Sequence, residues 1–308
     1  MNALVISGGG SKGSFAGGVA EYLMKNCQRN YELFVGTSTG SLLAPLLATG
    51  NIELARKVYT NVRQQDIFSL CPFIFETGKD GIYKTRINHW GILKMFWRRE
   101  KTFGDSHNLR RLIGQIFSEK DFDQLRKSGK EVVVSVSNLT LQSEEFKSSN
   151  DCAYEDFCDW IWASANLVPF MSLVHKNDYD YGDGGFGNLI PVQEAINRGA
   201  TLADVIVLYP ANQPTNNPPI RNAFNVWGRT YDYMLAQIAK DDIIIGNLEA
   251  RTRKVDLNFY YTPRLLTEQS FIFDPVQMDA WWEEGLKVFQ KEQEPITYAI
   301  APDFTTPS

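Results

Sequence analysis

The stretch Leu33-Phe34-Val35-Gly36-Thr37-Ser38-Thr39-Gly40-Ser41-Leu42-Leu43-Ala44-Pro45-Leu46-Leu47-Ala48 carries three patterns in succession. Leu33 to Val35 is an apolar run ending at Gly36, the pattern of a strand buried on both faces. Ser41 to Ala48 sets Leu42, Leu43, Leu46 and Leu47 on one helical stripe. Between them stands Gly36-x-Ser38-x-Gly40. A serine on a sharp strand-to-helix turn projects into the open, and its flanking glycines let neighbouring backbone come close. The helix that follows aims its unpaired N–H groups and positive dipole end at the same point. The pentapeptide alone is weak; its place between strand and helix makes Ser38 a candidate nucleophile.

The same arrangement occurs upstream. Ala3 to Ser7 predicts a buried strand, Gly8-Gly9-Gly10 a turn, and Gly13 to Lys25 a helix. Downstream, Glu131 to Val136 and Asp204 to Tyr209 are β-branched runs, separated by helical segments that include Asp156 to Ala165 and Val192 to Arg198. This alternation predicts an α/β fold with a central, mostly parallel sheet covered by helices on both faces. Beyond Pro210 the pattern is less legible: a loop at Pro214 to Pro219, a long helix from Ala223 to Ala250, a strand from Val255 to Tyr261 and a last helix from Pro275 to Lys291. No linker-like composition interrupts the chain, so residues 1–308 are expected to form a single domain, with 211–308 as its C-terminal part.

Bulk composition narrows the classes of function. The chain has 308 residues, 44% apolar and 22% charged, ordinary values for a folded protein. A net charge of -5 argues against a nucleic-acid partner, which requires concentrated basic surface. The 4 cysteines form no CxxC pair, so neither a disulfide framework nor a zinc site is signalled, and no metal is expected. Met1 to Ser7 lacks a basic and then apolar leader, and no run of about 18 uncharged apolar residues occurs, so a cytoplasmic location is expected, with peripheral membrane contact left open.

The string Gly8-Gly9-Gly10-Ser11-Lys12-Gly13 leaves the first strand and enters the first helix. Successive glycines can present N–H groups in a concave nest suited to an oxyanion. The string also satisfies G-x-G-x-x-G, the dinucleotide fingerprint. That reading requires an acidic residue closing the second strand, where Gly36 stands instead, so no cofactor is expected.

A nucleophilic serine needs a base. The 3 histidines are His89, His107 and His175, none after Asp183, so a Ser-Asp-His order built on Asp183 is impossible. Asp183-Gly184-Gly185 is, taken singly, a turn sequence. Aspartate is ordinarily a poor base, but burial beside glycines in an apolar cleft would raise its pKa. His175, paired with Asp151 or Asp159, is the alternative base.

Gly8-Gly9-Gly10-x-Lys12-Gly13, Gly36-x-Ser38-x-Gly40, Ala163-Ser164-Ala165 followed by Pro169, and Asp183-Gly184-Gly185 occur together and in this order, and the set resembles the patatin-like phospholipase family from the N-terminus to about Ala200. The resemblance implies a three-layer α/β/α sandwich and a Ser38–Asp183 dyad. It also implies an oxyanion hole at Gly8, Gly9, Gly10, Lys12 and Gly13, an elbow framed by Gly36 and Gly40, and support from Gly184 and Gly185. The implied reaction is metal-free hydrolysis of acyl esters of phospholipids, lysophospholipids or neutral lipids. Two departures leave the substrate class open: Ser7 stands where plant members carry aspartate, and Asn166 to Pro169 matches the usual spacing only loosely. A catalytically silent lipid-binding or scaffold protein, and a dinucleotide-dependent oxidoreductase, are the competing functions.

One segment lies outside these motifs. Residues 68–103 mix Phe68, Phe73, Phe75, Trp90, Met95, Phe96 and Trp97 with Lys79, Lys84, Arg86, Lys94, Arg98, Arg99 and Lys101. Aromatics among cations suit a lipid headgroup boundary, as a lid or membrane-docking insertion. The plainer expectation is an insertion whose aromatics pack on the sheet.

Overall fold

The computed structural model describes residues 1–77, 83–211, 223–267 and 269–291. Its strands are β1 (Asn2–Ile6), β2 (Leu33–Thr37), β3 (Phe73–Thr77), β4 (Tyr83–Ile87), β5 (Glu131–Asn138), β6 (Ser143–Ser148), β7 (Val174–Lys176), β8 (Tyr179–Asp183), β9 (Leu202–Pro210) and β10 (Asp256–Thr262). Its helices are α1 (Gly13–Glu21), α2 (Thr39–Ala48), α3 (Ile52–Tyr59), α4 (Gln64–Ile67), α5 (His89–Trp97), α6 (His107–Ile116), α7 (Glu119–Lys127), α8 (Tyr154–Ser164), α9 (Val192–Asn197), α10 (Ala223–Arg253) and α11 (Pro275–Lys291).

Every strand except β3 and β4 joins one sheet, in the order β10-β9-β1-β2-β5-β8-β7, with β6 also paired to β5. Strands β10, β9, β1, β2 and β5 run parallel, and β6, β8 and β7 are antiparallel additions. Side chains alternate between two cores along each central strand: Leu4, Ile6, Val132 and Val134 enter one, Ala3, Val5 and Val133 the other. With both faces buried, these strands have no use for polar alternation, which is why they read as continuous apolar runs. The first core is completed by Phe15 of α1, Leu43 of α2, Ile113 of α6, Phe157 of α8 and Trp282 of α11. The second takes Ala195 and Ile196 of α9 with Ala239 and Ala250 of α10. The result is the expected three-layer α/β/α arrangement.

Element boundaries shift from expectation by a few residues. The first helix stops at Glu21 and continues as a wider turn over Tyr22–Asn26. The expected loop at Pro214 to Pro219, together with Lys79, lies outside the described residues. The C-terminal part contributes β10 at the sheet edge and α11 against α1, where the buried Trp282 indole N–H donates to Glu21 Oε2 at 2.7 Å. Among the described residues, no helix is long and apolar enough to cross a membrane.

The partners of β5 determine where the motifs meet. Val133 to Ser135 pair with β2 on one edge and with β6 on the other, whereas Val136 to Asn138 pair with β6 and with β8. Because β6 keeps its edge throughout, β8 takes over the edge that β2 leaves. Thr37 lies opposite Ser135, and Asp183 lies opposite Val136. The residue that follows β2 and the last residue of β8 are thereby brought to one corner.

Candidate active site

Ser38 occupies the turn between β2 and α2 with φ 54° and ψ -118°. An L-residue adopts such positive φ only under restraint, at a cost of order 1–3 kcal/mol. The restraint is visible. The Ser38 N–H donates to Ser164 Oγ at 3.0 Å, and its carbonyl accepts from the Ser41 N–H at 3.0 Å and from Ser41 Oγ at 2.6 Å. Gly36 and Gly40 make the turn sterically possible: a Cβ on Gly36 would lie 2.4 Å from the Gly40 carbonyl carbon, and one on Gly40 would lie 2.2 Å from the Ile6 oxygen. Ser164 belongs to Ala163-Ser164-Ala165, so that motif bears directly on the serine turn.

Asp183 ends β8 and is 3% exposed. Its N–H donates to the Asn166 carbonyl at 2.8 Å, and its Oδ1 accepts from the Gly185 N–H at 2.8 Å. Burial raises its pKa to about 7, opposed by hydrogen bonding from the Ser38 side chain and from the Gly185 amide. Gly184 has no room for a side chain, since a Cβ there would sit 2.2 Å from the Ser135 carbonyl oxygen. The two elements are also tied together by Thr37 Oγ1, which donates to the Asn188 carbonyl at 2.9 Å.

The glycine string closes the third side. A Cβ built on Gly8 would meet Leu189 at 2.6 Å and the Ser38 Cβ at 3.3 Å, so this loop lies directly against the serine. Its amides divide into two groups. The Gly8 N–H donates to Leu189 O at 3.0 Å, Ser11 N–H to Ser270 O at 2.9 Å and Lys12 N–H to Gly9 O at 3.3 Å. The Gly13 N–H points back to the Gly10 and Ser11 carbonyls. The Gly9 and Gly10 amides have no acceptor among the described residues. The Lys12 ammonium is buried over the Tyr209 ring, 3.8 Å from its centroid, and desolvation lowers its pKa to about 8 against the pull of Asp232.

The structure thus gathers Ser38, Asp183, Gly8 to Gly13, Gly36, Gly40, Gly184 and Gly185 at the C-terminal ends of β1, β2 and β9. His175 stands apart from them. Its side chain is 63% exposed and its Nδ1 lies 2.9 Å from Asp180 Oδ1, which corrects the expected pairing with Asp151 or Asp159. His107 is likewise exposed, beside Asp105. Among the described residues, no group of three or more His, Cys, Asp or Glu side chains is arranged to hold a metal ion.

Three contributors escaped the sequence reading. The Tyr209 and Tyr231 hydroxyls are pushed to high pKa by burial and feel the charge of Asp183. Asp242 of α10 accepts the Leu189 and Ile190 amides, both at 2.8 Å, and burial raises its pKa to about 7. These residues come from distant elements with no local pattern to mark them, so only the fold reveals them.

A model of the patatin-like phospholipase family matches residues 4–196, more than half of the chain. The chain belongs to the patatin-like phospholipase family. The chain is similar to an uncharacterized protein of Escherichia coli (strain K12), YjjU, at 26% identity over 213 residues, covering 68% of this chain and 52% of that one. It therefore spans about half the length of that relative. VipD from Legionella pneumophila shares the fold, with a TM-score of 0.53 and 15% identity over 93% of this chain and 65% of the other. The patatin-like match ends near α9, whereas Ser270, which holds the Ser11 amide, and Asp242 lie beyond it.

Proposed function

We propose that the protein hydrolyses carboxylic esters of lipids, as a phospholipase A or lysophospholipase, through a Ser38 acyl-enzyme with Asp183 as general base. The observation that carries this reading is the convergence of Ser38, directly after β2, and the buried Asp183, at the end of β8, at one corner of the sheet, where burial raises the carboxyl to about 7. A carboxylate near its ordinary pKa of about 4 would be too weak a base at neutral pH; one near 7 is matched to the task.

In the proposed cycle Asp183 accepts the Ser38 proton as Oγ adds to the ester carbonyl. The Gly9 and Gly10 amides, which have no acceptor among the described residues, receive the oxyanion. Collapse expels the alcohol, which takes the proton back from Asp183. Water then attacks the acyl-enzyme with Asp183 again as base, restoring Ser38. No step calls for a metal or organic cofactor. Lys12, held over Tyr209, is assigned to shaping the loop through its fixed position rather than to donating to the oxyanion.

A fluorophosphonate probe tests the assignment: it should label the wild type at Ser38 and fail to label Ser38→Ala. Mass spectrometry of a lipid extract treated with either protein would then name the ester cleaved. Labelling at another residue, or identical lipid products from Ser38→Ala, would refute the nucleophile. A folded chain that takes no label and changes no lipid would favour a silent lipid-binding protein.

A further inference from the structure

Helix α5 presents its large aromatics to solvent. Trp90 is 81% exposed, Trp97 79% and Phe96 61%, while Met95 beneath them is buried at 3%. Trp90, Leu93 and Trp97 recur at spacings of three and four, which places them on one face of the helix. The helix is firmly seated: the Asn88 side chain caps it by accepting the Gly91 N–H at 2.9 Å and donates to the Cys71 carbonyl at 3.0 Å. An aromatic face of this kind on a fixed element, rather than on a free loop, is costly to leave in water and calls for an occupant.

The charges indicate which occupant. Lys94, Arg98 and Arg99 are exposed and have no carboxylate partner among the described residues, although the protein is acidic overall at -5. A second copy of the chain meeting this face symmetrically would set cation against cation. An anionic lipid surface satisfies both features, since indole and phenyl rings partition to the headgroup boundary and cations meet its phosphates and carboxylates.

The face also continues to the candidate active site. Phe96 packs 6.3 Å from Phe103, whose N–H donates to the Pro169 carbonyl at 2.8 Å. Lys101 Nζ reaches Asp180 Oδ2 at 3.2 Å, and the Asp180 carbonyl accepts from the Leu139 N–H at 2.8 Å. Leu139 and Leu141, in the turn after β5, are 38% and 56% exposed. That turn follows the end of β5 on the same side of the sheet as Ser38 and adjoins the start of β8, while Asp183 stands opposite Val136, two residues before β5 ends.

We propose that α5, through Trp90, Phe96, Trp97 and its flanking cations, together with Leu139 and Leu141, docks the protein on membranes containing anionic lipid. Docking would hold the site mouth against the bilayer. The proposal rests on the esterase reading for its purpose, drawing an ester lipid from a bilayer, but binding is measurable without turnover.

Flotation of the full chain with vesicles of phosphatidylcholine, and of phosphatidylcholine mixed with phosphatidylserine, tests it. Wild type and Ser38→Ala should both float with the mixed vesicles. The triple variant Trp90→Ala, Phe96→Ala, Trp97→Ala should lose at least about tenfold in partitioning, while keeping wild-type turnover of a water-soluble short-chain ester. The pair Arg98→Glu, Arg99→Glu should lose at least about tenfold on the mixed vesicles and little on phosphatidylcholine alone. Unchanged partitioning of the aromatic variant, equal behaviour of the charge variant on both vesicles, or no flotation of the wild type would each overturn the proposal. Self-association abolished by the aromatic changes, without vesicle binding by the wild type, would also overturn it and assign the face to a chain–chain contact. Vesicle binding by a chain inactive on every ester would leave the docking proposal standing and remove the esterase reading.

Discussion

Replacing Asp183 by Asn should abolish activity and stabilise the fold at the same time. In the folded protein burial raises the carboxyl to about 7 from the ordinary aspartate value of about 3.9, which amounts to roughly 4 kcal/mol. The sign follows from proton counting. Between these two values the folded state binds more protons than the unfolded state, so stability falls as pH rises. Below about pH 4 both states are protonated and the site carries no penalty; above about pH 7 the penalty is complete. Asparagine cannot ionise, yet its amide oxygen can still accept the Gly185 N–H. In urea unfolding at about pH 8, Asp183→Asn should therefore exceed wild type by up to about 4 kcal/mol, with the advantage shrinking to near zero at about pH 4. Asp242, also raised to about 7, is common to both proteins and drops out of the difference. Ester turnover by the same variant should fall by roughly 10³-fold or more. A variant no more stable than wild type at either pH would mean that the carboxylate is not held in a desolvated site. Near-wild-type turnover would mean that it is not the base.

For wild type, kcat/KM on a soluble ester should rise as pH increases through about 7, as Asp183 loses its proton, and His175→Gln should leave that profile in place. Ser164→Ala removes the acceptor of the Ser38 N–H; the expected loss is about 1–3 kcal/mol in denaturant unfolding, with kcat lowered by a loosened turn. Gly10→Ala must fit a Cβ 2.3 Å from the Ser270 carbonyl oxygen at a φ of 58°. Steady-state kinetics should show kcat reduced about 10²-fold with KM little changed, as for the loss of one oxyanion donor.

The parts legible in the sequence were those with a strong local cause. β1, β2, β5 and β9 are buried on both faces and announced themselves as unbroken apolar runs. The last helix, Pro275–Lys291, carried its own start signal at Pro275. β6 did not: Ser-Glu-Glu-Phe-Lys-Ser lies on the outer edge of β5, largely solvated, and shows no alternation worth reading. β7 and β8 are only 3 and 5 residues long. The glycine string and the serine turn were visible as motifs, whereas the pairing of Ser164 with Ser38, the clamp of Asp242 on Leu189 and Ile190, and the tyrosines around Asp183 depend on contacts between distant segments. Segment 68–103 was legible in composition only. There the structure sorts its apolar residues, burying Phe68 and Met95 while exposing Trp90, Phe96 and Trp97.

The handover of one β5 edge from β2 to β8 decouples distance along the chain from distance in space. The loops joining β5 to β6 and β6 to α8 could lengthen, shrink or acquire new specificity without moving either reactive group, provided β8 keeps its alignment and the segment with Ser164 and Asn166 keeps its place. Slippage by a single position would instead bring a glycine to the corner where the carboxylate stands. Sheet alignment, more than loop identity, is thus the dimension along which this architecture tolerates no drift.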